Sequence, residues 1–229
     1  MFYMLYDPTY ILVIFAFILT LFASFGVKST FTKYSKVKSA NGFTGSMAAR
    51  KILDMNGLQH IRIERISGDL TDHFDPKSGV IRLSDSVYDE SSVAAIGVAA
   101  HEAGHAVQHA TNYKPIVVRN SIVPVVNISN ALSMPLFFIG LLMGNLGLAT
   151  AGALLFSAVL IFQLITLPVE LNASSRAIKI LENGGMLYDE EVTGAKKVLR
   201  AAAMTYIAGT AATALQLLRL LLLVRGRDD

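Results

Sequence analysis

The sequence contains no cysteine and no tryptophan, and only 16% of its 229 residues are charged. The absence of cysteine excludes disulfides, a thiol nucleophile and a thiolate metal site. Any bound metal must therefore be held by histidine and carboxylate side chains. The same absence agrees with a reducing compartment. The net charge of +3 is not arranged as a basic stripe with interleaved aromatic residues, so no nucleic-acid partner is expected.

Long stretches without any charged residue are present instead, at residues 9–27 and 122–169. The first is long enough for one membrane-spanning helix, and the second fits two spans with a turn around Gly144 to Gly147. A further apolar segment near the end contains Arg219, so it either crosses the bilayer or lies partly in its interface. The predicted spans are residues 9–27, 121–143, 147–168 and 201–224. Asn127, Asn130 and Gln163 lie inside these runs and are expected to face other helices.

The distribution of lysines predicts the orientation of the chain in the membrane. Lys28, Lys33, Lys36 and Lys38 directly follow the first span, which places this segment in the cytoplasm by the positive-inside rule. The first span is expected to be an uncleaved anchor, because Asp7 and no Lys or Arg precedes it.

Residues 28–120 predict a small cytoplasmic α+β domain. Thr44 or Ser46 can cap a helix that runs to about Met55, and residues 61–66 have the pattern of a strand. Residues 70–74 and 80–83 flank Asp75-Pro76-Lys77-Ser78-Gly79 and predict a β-hairpin. The expected fold is thus a mainly α integral-membrane protein of about four spans with a small zincin-like α+β part, all in a single membrane-embedded unit.

A helix predicted over residues 91–110 contains His101-Glu102-Ala103-Gly104-His105, an HExxH motif. Residues four apart lie on the same face of a helix, so His101 and His105 can both bind one zinc ion. Glu102 then lies beside the metal, where it can take a proton from water. The plainer alternative is a helix with two unrelated histidines around a surface glutamate.

A catalytic zinc needs a third protein ligand. His109 is one candidate, but on a continuous helix it lies about 12 Å along the axis from His101, too far for one ion. Glu170 is the better candidate, because an ionisable residue at the end of a span is often functional and the two preceding spans return it to the side of His105. Residues 169–199 are predicted to form the helix of this third ligand and a cytoplasmic segment. The alternative for Glu170 is an ordinary interfacial glutamate at the start of a helix, where the helix dipole favours an acidic residue.

Several segments together resemble the bacterial YugP-type membrane zinc metallopeptidases. They are Lys28 to Phe31 with Tyr34-Ser35, Gly45 to Leu58, Asp72 to Pro76, Val98 to Ala110, and Leu167 to Glu170. The chain is more distantly similar to membrane gluzincins of the HtpX and CAAX prenyl protease type. This resemblance implies a peptidase in which His101, His105 and Glu170 bind zinc and Glu102 is the catalytic base. Here Ser174 replaces the aspartate of the gluzincin motif, which leaves the supporting role of that aspartate unassigned.

We therefore expect a zinc-dependent membrane endopeptidase that acts on peptides or proteins, membrane proteins included, at the cytoplasmic face. His73 and Arg176 are candidates for stabilising the transition state. The plainer interpretation of His73 is that it is a polar residue beside a turn. The plainer interpretation of Arg176 is that its charge pairs with nearby acidic residues. The alternative function is a zinc-binding membrane scaffold without turnover. A channel or transporter is disfavoured, because the first three spans lack the charged residues of an ion pathway before Glu170.

Overall fold

The computed structural model describes residues 7–226, which form six α-helices and one three-stranded sheet. In chain order the elements are α1 (Tyr10–Tyr34), α2 (Gly45–Met55), β1 (Arg62–Ile66), β2 (His73–Asp75), β3 (Val80–Ser84), α3 (Val93–Ala110), α4 (Lys114–Leu142), α5 (Leu146–Asn183) and α6 (Asp189–Arg225). The prediction of a mainly helical fold with a small sheet is confirmed.

Four of these helices, α1, α4, α5 and α6, are long and apolar enough to cross a membrane. A short turn joins α4 to α5, and within it Gly144 has a φ of +66°, a conformation that glycine adopts at little cost. Helix α5 continues through Pro168. Glu170 therefore lies on the same helix as the uncharged run before it, two residues past the proline.

The polar residues inside the spans are placed differently from the prediction. Asn127 and Asn130 are exposed, and the buried polar residues of α4 are Ser129 and Ser133. Their four-residue spacing puts both serines on one face. Small residues on such a face let helices approach closely, whereas the larger amides would hold them apart. Gln163 is half-buried.

The sheet has the order β1-β3-β2, so β2 is an edge strand. β1 pairs with β3 in parallel, and β2 pairs with β3 antiparallel, with Phe74 opposite Ile81. The predicted hairpin is present, but β2 begins only at His73, because Leu70 has a φ of +54° that a strand does not allow.

The turn between β2 and β3 is held by Asp75. Its carboxylate accepts hydrogen bonds from Ser78 Oγ at 2.6 Å and from the backbone N–H of Lys77 at 3.0 Å. The Ser78 hydroxyl, the Lys77 N–H and Arg82 outweigh the effect of burial and lower the pKa of Asp75 to about 2. The charged form of Asp75 thus stabilises the turn that orients β2.

Side-chain caps determine where helices α2 and α3 begin. Thr44 caps α2 through a bond from Met47 N–H to its Oγ1, which selects it over Ser46. Ser92 caps α3 in the same way through Ala95 N–H. Helix α3 is buried on most of its surface by α2, the sheet, the later part of α5 and the first part of α6. The alanines of α3 allow this burial, because their small side chains let neighbouring elements pack closely around the helix.

The chain divides into two compact units. The first, here called the membrane unit, comprises the described parts of Met1–Ser24, Val118–Leu167 and Thr205–Asp229. The second, the mixed unit, comprises Phe25–Val117 and Pro168–Met204, and so contains the sheet, α2, α3 and parts of the long helices. The candidate site lies wholly within the mixed unit.

Candidate metal centre

Helix α3 brings the two histidines of the HExxH motif together. His101 Nε2 and His105 Nε2 are 3.1 Å apart, and the two rings meet edge to face with centroids 4.6 Å apart. This follows from their four-residue spacing on a regular helix. Both rings are mostly buried.

Glu170 completes the cluster from α5. Its Oε2 lies 3.3 Å from His101 Nε2 and 3.4 Å from His105 Nε2. The three residues are a group of potential metal ligands within the described chain. Bonds of about 2.1 Å at tetrahedral angles separate neighbouring ligand atoms by roughly 3.4 Å. The observed separations of 3.1–3.4 Å and the two-nitrogen, one-oxygen donor set therefore fit a zinc ion.

The close approach of α3 to α5 depends on Gly104. A Cβ atom at this position would lie 2.8 Å from the backbone oxygen of Ala173. Backbone cannot move aside as a flexible side chain can, so any larger residue at position 104 would push α5 away. The glycine inside the motif thus sets the distance at which Glu170 meets the histidines.

The far nitrogen of each imidazole has a partner that orients the ring. His101 Nδ1 lies 3.1 Å from Ser174 Oγ, and His105 Nδ1 lies 3.0 Å from Gln108 Oε1. Ser174 is thus the side chain of α5 that contacts the far nitrogen of the His101 imidazole. Such partners hold a ligating histidine in one orientation and one tautomer.

Gln108 determines the tautomer of His105. Its amide nitrogen donates to the backbone oxygen of Val169 at 2.8 Å and to Asn172 Oδ1 at 3.0 Å. Both donors of the amide are thereby used, which leaves Oε1 as an acceptor for His105 Nδ1–H. In the neutral ring Nε2 then carries the lone pair, and it points toward Glu170. Gln108 is fully buried, so water does not compete for these bonds.

The charge around His105 favours its protonated form in the metal-free protein. Burial by itself lowers the pKa of His105, but the hydrogen bond to Glu170 and the charges of Glu102 and Glu170 outweigh burial and raise it. A metal ion and a proton compete for Nε2, so binding of a metal here releases protons.

Glu102 is buried beside the cluster and contacts the sheet. Its Oε2 accepts a hydrogen bond of 3.0 Å from the backbone N–H of Phe74 on β2. Within residues 7–226 the other carboxylate oxygen has no hydrogen-bond partner. One oxygen is thus anchored to the edge strand while the other is available to take a proton.

Other candidates from the sequence are placed outside this cluster. His73 is exposed, with Nδ1 2.9 Å from the backbone oxygen of Thr71. Arg176 donates to Asn172 Oδ1 at 2.8 Å and lies 5.7 Å from the centre of the Tyr113 ring. His109 is exposed and meets Phe74 edge to face. Among the described residues, none of the three forms a hydrogen bond, an ion pair or a ring contact with His101, His105 or Glu170.

Three contributions were not predicted from the sequence. Gln108 could have been found, because it lies one turn after His105 on the same helix. Asn172 and the backbone N–H of Phe74 carry no recognisable pattern. They become part of the site only because α5 and β2 pack against α3.

The similarity to known proteins covers the elements that build this cluster. A family model described as "Putative neutral zinc metallopeptidase" matches residues 9–225. The chain is 49% identical over 212 residues to the "Putative membrane protease YugP" of Bacillus subtilis (strain 168), an alignment that covers 92% of this chain and 94% of that protein. No solved structure matches the chain.

Proposed function

Because the chain belongs to the neutral zinc metallopeptidase family, we propose that it is a zinc-dependent endopeptidase acting on peptides or proteins at the cytoplasmic face of the membrane. The observation that carries this proposal is the set of ligand separations. Two imidazole nitrogens and one carboxylate oxygen from two different helices lie 3.1–3.4 Å apart, as tetrahedral zinc requires.

His101, His105 and Glu170 would hold the metal, with Ser174 and Gln108 orienting the rings. When bound, zinc lowers the pKa of a water toward about 7 and polarises a carbonyl. Glu102 takes the proton of the attacking water on its free oxygen and delivers it to the leaving amine. Its bond to Phe74 N–H holds the carboxylate in place during both transfers.

The edge strand offers a way to bind an extended peptide. The N–H of Phe74 points away from β3 toward Glu102, so the outer edge of β2 borders the candidate base. Apart from Phe74 N–H, which Glu102 holds, the backbone groups of this edge would pair with an extended peptide without requiring a particular sequence. This mode suits an endopeptidase of broad specificity.

One observation favours the alternative, a zinc-binding scaffold without turnover. The bond from Phe74 N–H also gives Glu102 a structural role, so its presence alone does not require catalysis. The two functions differ in whether loss of the Glu102 charge abolishes cleavage while zinc stays bound.

The first experiment measures zinc content and cleavage of an unfolded protein by the purified chain. Wild type and Glu102→Gln should each carry about one zinc per chain, because Glu102 is not in the ligand cluster. Glu102→Gln should lose cleavage by several orders of magnitude, since removal of a general base costs at least about 10²–10⁴-fold.

Glu170→Ala should lose the zinc, whereas Glu190→Ala, at an exposed position on α6, should keep it. Wild type without specific zinc would refute the metal site. Zinc-loaded wild type that cleaves nothing would leave the scaffold as the function.

The orientation can be tested because the natural chain has no cysteine. Lys36→Cys and Glu190→Cys, both at exposed positions, should be labelled by a membrane-impermeant thiol reagent only after cells are opened. Labelling of either variant in intact cells would place the site on the outer face.

A further inference from the structure

A cavity of about 400 Å³ lies between α5 and α6 within the mixed unit. Its floor is apolar, formed by the buried side chains of Ile178 and Leu199. Leu171 and Ala203 line one end, and Leu171 is 45% exposed although it is a large apolar residue. The cavity thus offers apolar surface that the protein itself leaves open.

The walls of the cavity carry cations. Lys179, Lys196 and Arg200 line it, against a single acidic residue, Glu182. All four side chains are exposed, and within residues 7–226 none of the three cations forms an ion pair with a carboxylate. With three cations against one carboxylate, the lining of the cavity carries an excess of positive charge.

Apolar and charged residues are separated along the two helices. On α5, Lys179 lies eight residues after Leu171, or about 12 Å along the axis. On α6, Lys196 lies seven residues before Ala203, or about 10 Å. The cavity is consequently apolar at the end formed by Leu171 and Ala203 and cationic toward the end formed by Lys179 and Lys196, with Arg200 between the two ends.

The apolar end coincides with the start of the membrane-spanning runs. The uncharged run of α5 ends at Val169, and that of α6 begins at Ala201, directly after Arg200. Each helix thus enters its apolar run within a few residues of the apolar end of the cavity. A molecule that extends out of one leaflet can reach the cations from there.

We propose that this cavity binds an anionic phospholipid. Its phosphate pairs with Lys196 and Arg200, and the beginning of its acyl chain lies along Leu171 and Ala203. A soluble anion would leave the apolar end in contact with water, and a lipid without net charge would leave the cations unneutralised. Each nearby Lys or Arg contributes about 1 kcal/mol to the attraction of an anionic lipid, which corresponds to about a fivefold increase in affinity.

The bound lipid would lie next to the metal centre. Ser174 lines the cavity and also contacts His101 Nδ1 at 3.1 Å. A single side chain therefore separates the lipid site from a candidate metal ligand. The lipid site itself does not depend on the proposed peptidase activity.

The chain has no tryptophan, so the fluorescence of a single introduced tryptophan can be measured without background. Brominated acyl chains quench this fluorescence, and the quenching shows which lipid lies next to the tryptophan. Full-length Leu171→Trp is reconstituted in bilayers of equal parts phosphatidylglycerol and phosphatidylcholine, with one lipid or the other brominated. We expect brominated phosphatidylglycerol to quench several-fold more effectively than brominated phosphatidylcholine. Leu164→Trp, an exposed position two turns earlier on α5 and outside the cavity, should show no preference.

The cations are then neutralised in the Leu171→Trp background. Lys196→Gln with Arg200→Gln should reduce the preference to nearly none, while Lys197→Gln, an exposed lysine outside the cavity, should retain it. Equal quenching by both lipids at Leu171→Trp, or an equal loss with Lys197→Gln, would refute the site. Suppression of the preference by glycerol phosphate or by a soluble acidic peptide would also refute it, since the cavity would then take a soluble ligand.

Discussion

The mixed unit and the membrane unit each contain a glycine against which a second helix packs closely. In the mixed unit, a Cβ atom at Gly104 would lie 2.8 Å from Ala173 O on α5. In the membrane unit, a Cβ atom at Gly152 would lie 2.5 Å from Phe137 N and 2.7 Å from Ser133 O on α4. Both contacts are with backbone, so neither glycine can be replaced by a larger residue without separating the helices.

The close approach of a second helix to a glycine has different consequences in the two units. Around Gly104 the approach brings together lone-pair-bearing side chains, Glu170 with His101 and His105. Around Gly152 it packs apolar residues such as Phe137, Ala149 and Ala153 together with the buried Ser133. The membrane unit also exposes large apolar side chains, among them Ile128 and Leu154, which suit a lipid environment. Close packing sets the distances, and the neighbouring side chains decide whether those distances produce chemistry.

The largest expected effect distinguishes the two glycines. Gly104→Val and Gly152→Val should each destabilise the protein by about 1–3 kcal/mol, since each forces a side chain into backbone. Only Gly104→Val should also lose nearly all zinc, because it moves Glu170 away from the histidines. Zinc analysis and thermal unfolding of both variants in detergent test this.

Gly209→Val is the control, since a Cβ atom there meets nothing within 4 Å. It should change neither zinc content nor stability. Full zinc in a folded Gly104→Val protein would contradict the role of the α3–α5 contact. Zinc loss in Gly152→Val would contradict the claim that only the glycine of the mixed unit positions the metal ligands.

An intermediate effect is expected from the residues that orient the imidazoles. Gln108→Ala should weaken zinc binding by about 10–100-fold, and Ser174→Ala by somewhat less, because supporting partners of metal ligands contribute on this scale. Gln108 has the larger effect since it is buried and its loss removes the side-chain donor to Val169 O and one of the two donors to Asn172 Oδ1, the other being Arg176. Titration against a competing chelator measures both.

Ser175→Ala, an exposed neighbour of Ser174, should bind zinc like wild type. Ser174→Asp should bind zinc at least as tightly as wild type, because a carboxylate also accepts from His101 Nδ1–H. An unchanged affinity in both Gln108→Ala and Ser174→Ala would mean that these contacts do not position the ligands.

The smallest effect concerns the turn before β3. The pKa of Asp75 is lowered from 3.8 to about 2, so its charged form stabilises the folded state. This contribution is complete above about pH 4 and is lost as the pH falls through about 2. Asp75→Asn should therefore flatten the dependence of unfolding on pH in that range.

Asp69→Asn, in the exposed segment before β2, is the control and should leave the pH dependence as in wild type. The effect is expected to be small, because water screens the turn. An identical pH profile for Asp75→Asn and wild type would show that the turn does not depend on this charge.

Periodic patterns allowed much of this molecule to be predicted. The two histidines are one helical turn apart, so their meeting required only that residues 93–110 form a helix. The uncharged runs likewise indicated the long apolar helices. The exposed Asn127 and Asn130 show the limit of such reasoning, because the faces of α4 are chosen by its packing on other helices.

The sequence by itself determined the helical spacing of His101, Glu102 and His105, the chemical types of the possible ligands and the number of long apolar helices. These properties depend on local spacing and composition. Only the tertiary structure decided that Glu170 lies 3.4 Å from His105, which it follows by 65 residues in the chain. The tertiary structure also decided that Ser174 and Gln108 hold the two imidazole rings. The same is true of the contact by which Phe74 anchors Glu102. Contacts between distant segments depend on how closely whole helices and strands approach, and here that distance is set by a glycine against a backbone carbonyl.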